Sequence, residues 1–143
     1  ALALGADGVN MGTRFMCTQE SPIHDSVKQA IVAASELDTE LMFRPLRNTA
    51  RVASNTVSRE VVQILDGGGQ FEDVRELVAG VRGRTVYETG DTEAGVWSVG
   101  MVQGLIHDVP TVGDLVETII QDAHEIVTGR LSGLLKQEPA VVR

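Results

Sequence analysis

The feature that most constrains the fold is a short apolar run near the amino end that stops at a glycine and a threonine. Residues 8–11 read Gly-Val-Asn-Met, and Gly12-Thr13 follow before a polar turn and a helix. We expect residues 8–11 to form a strand. Because Gly12 has no side chain, its backbone can come close to a ligand. A helical turn that starts there would present free N–H groups and favour an anion.

A phosphate group is the natural occupant of such a turn at the carboxyl end of a strand. In (β/α)8 barrels, the loops after the late strands often bind phosphate. These residues therefore predict an α/β fold in which residues 8–11 are the last strand of a barrel and Gly12-Thr13 form half of a phosphate site.

The same stretch and three later ones resemble a known family. The matching stretches are GADGVNMGTRF, ESPIHDSVKQAIV, DTELMFRPLRNTARV and AGVWSVGMVQGLI, and the resemblance covers residues 1 to about 127. Together they resemble the flavin-dependent nitronate monooxygenases, formerly called 2-nitropropane dioxygenases. In looser form they resemble the FMN-dependent enoyl-ACP reductase II enzymes. Many family members carry Gln where this chain has Asn10.

The resemblance implies that the chain is the C-terminal part of a (β/α)8 TIM barrel, followed by a mostly helical cap region. Residues 1–36 would hold the last barrel strand, the phosphate loop and the following helix. Residues 37–109 would be a mostly helical cap or insert, and residues 110–143 a C-terminal helix and tail. Such a barrel takes about 250 residues, so we expect the remainder of the barrel to lie outside this sequence.

The resemblance also implies the cofactor FMN. Asn10, Met11, Gly12 and Thr13 match the family's phosphate-loop positions, and we expect them to bind FMN mainly through backbone amides. The family's catalytic histidine lies on an earlier strand or loop, so no residue here is assigned a catalytic role. No metal site is expected, because the three histidines are scattered and no paired His or Cys spacing occurs.

By resemblance, the reaction is oxidation of an alkyl nitronate by flavin and O2 to a carbonyl compound and nitrite. An alternative of the same fold is an NAD(P)H-dependent FMN reductase acting on a quinone or an enoyl thioester. A third is a non-catalytic helical domain, or a split-barrel fragment that needs a partner chain. Whether the intact protein is a homodimer stays open.

The charge and the single cysteine limit the partners and the compartment. A net charge of -8 argues against binding a nucleic-acid backbone or an anionic membrane. No run approaches the roughly 18 apolar residues that span a bilayer. One cysteine, Cys17, makes no internal disulfide and fits a reducing compartment, so we expect a cytoplasmic protein. Cys17 itself is either a reactive thiol or a small buried side chain.

Three other features each have a functional and a structural interpretation. Arg44, Arg47 and Arg51 form a basic cluster, either a clamp for a nicotinamide phosphate or an acyl-carrier partner, or structural arginines paired with carboxylates. His24 is either a proton donor or phosphate contact near the flavin, or a surface histidine at a helix start. Trp97 either shapes the flavin pocket or belongs to the core.

The spacing of apolar residues predicts five helices after the phosphate loop. Their expected positions are from Ser21-Pro22 to Glu36, from a cap at Asn48 or Thr49 to Gly67, from Phe71 to Gly83, from Glu93 to Ile106, and from Pro110-Thr111 onwards. Residues 38–43 are expected to be a short strand or an extended loop.

Overall fold

The computed structural model describes residues 1–135, a small α/β structure with two strands. The helices are α1 Thr13–Met16, α2 Asp25–Ala33, α3 Thr56–Asp66, α4 Phe71–Val74, α5 Gly80–Thr89, α6 Val112–Glu125 and α7 Ser132–Leu135. The strands are β1 Thr39–Met42 and β2 Ala50–Ala53. Single 3-10 turns occupy Leu2–Leu4 and Met101–Leu105. The chain divides into two compact units, Ala1–Val109 and a second one that begins at Pro110.

The predicted strand at residues 8–11 is not formed. This segment is exposed and has no regular structure. A strand needs a neighbour that satisfies its backbone groups, and nothing within residues 1–135 pairs with this segment. The prediction of a barrel strand is therefore wrong for the chain by itself, although Gly12 does begin a helical turn at α1.

The sheet is a two-stranded antiparallel hairpin. β1 and β2 pair from Thr39 opposite Ala53 to Met42 opposite Ala50. Met42 and Val52 are buried on one face against α3 and α4, in a cluster of aliphatic side chains. The connecting turn contains two non-glycine residues with left-handed backbones, Phe43 and Arg47.

This hairpin corrects the helix that was predicted to start at Asn48 or Thr49. Both residues are exposed in the turn, and the helix begins only at Thr56. Asn55 caps it, because its side chain accepts from the Ser58 amide at 2.8 Å. The Ser58 hydroxyl in turn accepts from the Asn55 amide at 2.9 Å, which completes a reciprocal cap. The predicted end is confirmed, since Gly67 follows the last residue of α3.

The region from 71 to 106 contains less helix than its spacing predicts. The single helix expected from Phe71 to Gly83 is two helices, α4 and α5, and Gly83 lies inside α5. A Cβ on Gly83 would meet the Val96 carbonyl oxygen at 2.7 Å, so the glycine allows two backbones to approach closely. The helix expected from Glu93 to Ile106 is also wrong. This segment begins in a turn and ends with the 3-10 turn Met101–Leu105. Between them the chain returns to the sheet, where the Ala53 amide donates to the Trp97 carbonyl at 3.0 Å.

The main core of the first unit lies between α2, α5 and the segment after Trp97. Its buried members are Cys17, Val27, Ile31, Ala53, Val86, Trp97, Val99 and Ile106. The helix predicted from Ser21-Pro22 is shorter than expected: it starts after His24 and ends at Ala33.

The second unit begins with the predicted last helix. Thr111 caps α6 by accepting from the Asp114 amide at 3.1 Å, which confirms the predicted start. The helix continues through a π-helical segment, Ile126–Leu131, into α7. The apolar side chains of this helix and the segment after it are buried unevenly: Leu115 is buried, whereas Val116, Ile126 and Val127 are exposed. Residues 136–143, which belong to the predicted C-terminal tail, lie outside the described residues.

Within the part of the chain that the structure describes, no helix has the length and apolar character needed to cross a bilayer.

Candidate phosphate-binding site

The candidate site is the exposed loop that runs into α1. Phe15 and Met16 both donate their amides to the Gly12 carbonyl, at 3.0 and 3.2 Å, and so close one helical turn. The amides of residues 10–14 have no hydrogen-bond partner among residues 1–135. This leaves five consecutive N–H donors without a protein partner at the start of α1, and free N–H groups at the start of a helical turn can bind an anion.

Gly12 is not needed to shape this turn. Its φ of -103° is open to any residue. A Cβ added there would meet no atom within 4 Å. Because neither backbone strain nor crowding requires glycine, the space above Gly12 is free for a ligand.

Thr13 differs from its neighbours because it is buried. Its hydroxyl oxygen accepts a hydrogen bond from the Gly100 amide at 2.9 Å, just before the 3-10 turn Met101–Leu105. The side chain therefore ties the loop to a distant segment, and the Thr13 backbone amide is the donor left for a ligand. Asn10 and Met11 are both exposed.

Arg14 is the neighbouring residue that sequence reasoning did not single out. Its Nη1 donates to Asp108 Oδ1 at 2.9 Å, and its Nη2 donates to the carbonyl oxygens of Cys17 and Asp108, both at 3.0 Å. Nothing in the sequence relates Arg14 to Asp108, 94 positions later. The only local signal was that Arg14 belongs to the stretch GADGVNMGTRF.

The structure answers the question about Cys17. Its side chain is fully buried in the core, and burial raises the pKa of the thiol. Its Sγ lies 3.4 Å from the Lys28 carbonyl oxygen. A buried thiol that stays protonated is a poor nucleophile, so Cys17 is a core residue.

His24 and Trp97 also have structural roles. His24 caps α2, and its Nδ1 accepts from the Ser26 amide at 3.1 Å. Trp97 is buried in the core of the first unit, and its indole N–H donates to the Thr92 carbonyl at 3.2 Å.

The arginine cluster lies at the hairpin. Arg44 and Arg51 line an open cavity of about 410 Å³, together with the carboxylates of Glu40 and Asp66. Arg51 donates to the Thr39 hydroxyl at 2.6 Å. Arg44 and Arg47 are exposed and form no salt bridge within residues 1–135. Pairing with carboxylates, the structural interpretation, therefore does not account for these two arginines.

A second cavity, of about 120 Å³, lies next to Trp97. Its carboxylates are held by the fold: Asp38 accepts from the amide and hydroxyl of Ser35, and Glu93 accepts from the Thr56 amide at 2.8 Å. These hydrogen bonds lower the pKa of both carboxyl groups. No group of three or more His, Cys, Asp or Glu residues in the described part of the chain could hold a metal ion.

Comparison with known proteins gives a consistent family. A family model described as nitronate monooxygenase matches residues 1–122. The chain is 30% identical, over 86% of its length, to the (3aS,4S,5R,7aS)-5-hydroxy-7a-methyl-1-oxo-octahydro-1H-indene-4-carboxyl-CoA dehydrogenase of Rhodococcus jostii (strain RHA1), and covers 45% of it. It is 29% identical, over 68% of its length, to a probable nitronate monooxygenase of Staphylococcus aureus (strain JH9), and covers 28% of it.

A solved structure matches as well. FabK from Thermotoga maritima superimposes with a TM-score of 0.85 and 33% identity over 93% of this chain, which covers 42% of the FabK chain. The chain thus spans less than half the length of these relatives.

Proposed function

The chain belongs to the nitronate monooxygenase family, and on that premise we propose that it is the C-terminal segment of an FMN-dependent oxidoreductase. In this proposal it is part of a (β/α)8 barrel, and residues 8–11 pair with strands that the remainder of the protein supplies. Residues 1–36 carry the strand, phosphate loop and next helix, residues 37–109 a cap, and residues 110–143 the C-terminal helix and tail. A cytoplasmic location is part of the proposal, and the free, buried Cys17 supports it.

The observation that carries the proposal is the run of unpartnered amides at the loop, inside the region that the family model matches. The donor set fits the phosphate of FMN. Met11, Gly12 and Thr13 offer backbone N–H groups, and Gly12 leaves open space for close approach. Asn10 adds an exposed amide side chain that can donate or accept.

FMN, when bound, would supply the redox chemistry of the reaction. The residues of this chain bind and orient: the loop amides hold the phosphate, and the Thr13–Gly100 hydrogen bond fixes the loop on the first unit. Preorganised N–H donors of this kind bind an anion without rearranging. We assign no proton transfer to this chain.

We propose oxidation of an alkyl nitronate by O2, giving a carbonyl compound and nitrite, as the reaction of the complete protein. The test is to purify that protein, record its flavin absorbance, and measure nitrite release from an alkyl nitronate in air. Bound flavin with nitrite release supports the proposal. Bound flavin without nitrite release rejects this reaction, and absence of flavin rejects the flavoenzyme.

A second candidate, an NAD(P)H-dependent FMN reductase acting on an enoyl thioester, is favoured by the unpaired arginines at the hairpin. Arg44 and Arg51 line an open cavity, and phosphate groups of a nucleotide or of a thioester carrier are the anions that arginine binds well. The name of the Rhodococcus relative, a carboxyl-CoA dehydrogenase, points in the same direction. Glu40 and Asp66 in the same cavity oppose an anion.

The two candidates differ in a direct measurement. NAD(P)H oxidation that depends on an enoyl thioester, in the absence of O2, is expected only from the reductase. For the reductase we expect Arg44→Gln to raise the KM for NAD(P)H or for the thioester while leaving kcat nearly unchanged, because a binding contact at the phosphate is lost. The control is Arg75→Gln, since Arg75 is exposed and its one salt bridge within residues 1–135 is to Glu72, three residues earlier.

A further inference from the structure

Arg14 follows the phosphate loop directly, but its guanidinium group binds Cys17 and Asp108, which lie outside that loop. Its side chain is only 15% exposed. Nη1 binds the Asp108 carboxylate, and Nη2 binds the carbonyl oxygens of Cys17 and Asp108. The Nε donor is buried and has no hydrogen-bond partner within residues 1–135. Four of the five N–H donors of the group are thus either engaged or buried.

A phosphate at the exposed loop would therefore meet backbone amides rather than this cation. Reaching the phosphate would require Arg14 to give up a charge-assisted bond to Asp108 and two bonds to carbonyl groups. Such bonds are about twice as strong as neutral ones. The two adjacent residues thus have different roles. The Thr13 backbone amide is free to donate to a phosphate, and the Arg14 side chain attaches the turn to Asp108.

The turn depends on this fastening because α1 is one turn long. An isolated turn costs more conformational entropy than its hydrogen bonds return, so it needs tertiary contacts. Two contacts bind it to the same distant segment. Thr13 accepts from the Gly100 amide, and Arg14 binds Asp108, at the two ends of residues 100–108.

We infer that Arg14 is a positioning residue for the phosphate loop: through Asp108 it holds residues 10–13 in the binding geometry without contacting the phosphate. This inference rests on the proposed function.

The test compares FMN with riboflavin, which lacks the phosphate, in the complete protein. Flavin fluorescence titration gives the Kd for wild type, Arg14→Gln, Asp108→Ala and the double variant. We expect each single variant to bind FMN about tenfold more weakly, or about 1.4 kcal/mol. The double variant should be no worse than either, because both remove the same contact. Riboflavin affinity should stay unchanged in all of them.

Asp108→Ala is the milder variant, since Arg14 keeps its two carbonyl partners, and it carries the test if Arg14→Gln does not fold. Arg75→Gln is the matched control for charge, and its FMN affinity should equal that of wild type. A direct Arg14–phosphate contact predicts instead that Asp108→Ala leaves FMN binding intact or tightens it, which overturns the inference. Equal weakening for FMN and riboflavin, or a fall in thermal stability alone, also overturns it.

The outcomes separate this inference from the proposed function. If the wild-type protein binds no FMN, both fail together. If wild type binds FMN, and Arg14→Gln and Asp108→Ala both bind it with the affinity of wild type, only the role of Arg14 is overturned.

Discussion

Gly12 occupies a position where the fold itself would accept a side chain. Its backbone is not left-handed, and an added Cβ meets no protein atom within 4 Å. A glycine that is needed neither for conformation nor for packing leaves close approach of a ligand as its reason.

We therefore expect Gly12→Val to weaken FMN binding by about tenfold or more, since a branched side chain would occupy the ligand's space. The free energy of unfolding without flavin should change by about 0.5 kcal/mol or less, as for other surface substitutions. Flavin fluorescence titration and urea unfolding of the complete protein measure the two quantities.

Gly80→Val is the matched control, because Gly80 is also exposed and an added Cβ there also meets nothing within 4 Å. It should leave FMN affinity unchanged. If both variants bind FMN as wild type does, the loop does not hold the phosphate.

Glu93 gives a prediction about acid stability. Hydrogen bonds from the Thr56 hydroxyl and amide hold the pKa of its carboxyl below the ordinary value of 4.5. Because the folded state has the lower pKa, the stabilisation is complete above about pH 4.5 and is lost as the pH falls through the folded pKa.

Glu93→Gln should therefore flatten the fall in unfolding free energy below pH 4.5. Thr56→Val, which removes the hydroxyl and keeps the amide, should flatten it partly. Urea unfolding of the complete protein between pH 6 and about pH 3 measures the slopes. A Glu93→Gln curve parallel to that of wild type over this range would contradict the assignment.

At the level of elements, the start of α3 shows what sequence reasoning could and could not find. Asn48, Thr49 and Asn55 are all suitable caps, and the apolar spacing from Ala50 to Val57 suits a helix. The structure makes Ala50–Ala53 a strand instead, because residues 39–42 are available to pair with it. That pairing is not encoded locally, so the pattern alone selected the wrong cap.

The cap that the structure does use predicts a clear difference between two asparagines. Asn55 is buried, caps α3, and donates to the carbonyl oxygens of Thr92 and Gly95 at 2.7 and 2.8 Å. Asn55→Ala should cost about 2–4 kcal/mol of unfolding free energy, since it removes a cap and the side-chain donor to two carbonyl groups. The Thr92 carbonyl keeps the Trp97 indole N–H as a donor, whereas the Gly95 carbonyl loses its side-chain partner. Asn48→Ala, in the exposed turn, should cost about 0.5 kcal/mol or less.

Urea unfolding of both variants tests this difference. Equal costs would mean that Asn55 does not hold α3 to the segment around Thr92. The difference should survive in the presence of FMN, because neither asparagine belongs to the phosphate loop.

Other elements show the same contrast: those set by neighbouring residues were predictable from the sequence, and those set by long-range contacts were not. The start of α6 was predictable, because Thr111 and Asp114 form a cap within one turn. The segment from Glu93 to Ile106 was not, because its non-helical backbone depends on pairing with β2 and on the approach of Gly83 to Val96. At the site, the loop residues could be identified by resemblance, but their attachments at Gly100 and Asp108 could not.

At the level of the whole molecule, the described chain exposes much apolar surface. Leu4 is 93% exposed, Leu105 78% and Ile120 64%. The strand prediction failed at the same level, because residues 8–11 have no pairing partner in residues 1–135.

We expect the 143-residue chain, expressed alone, to self-associate and to bind a dye that fluoresces on apolar surfaces. The complete protein should do neither, because the remainder of the barrel would cover these side chains. Size-exclusion chromatography with light scattering compares the two. A monomeric chain that melts cooperatively and binds no dye would contradict the barrel-fragment proposal and favour an independent helical domain.

The order of synthesis on the ribosome affects when the phosphate loop can be attached to the rest of the first unit. Residues 13 and 14 are synthesised before their partners at 100 and 108, which emerge 87 and 94 residues later. At about 5–20 residues per second, the nascent loop waits roughly 5–20 s for the segment that fastens it. Until residue 108 has been made, the turn lacks the Arg14–Asp108 contact, and we expect it to have no stable shape that binds FMN. We therefore expect the loop to bind FMN only after residue 108 has been synthesised.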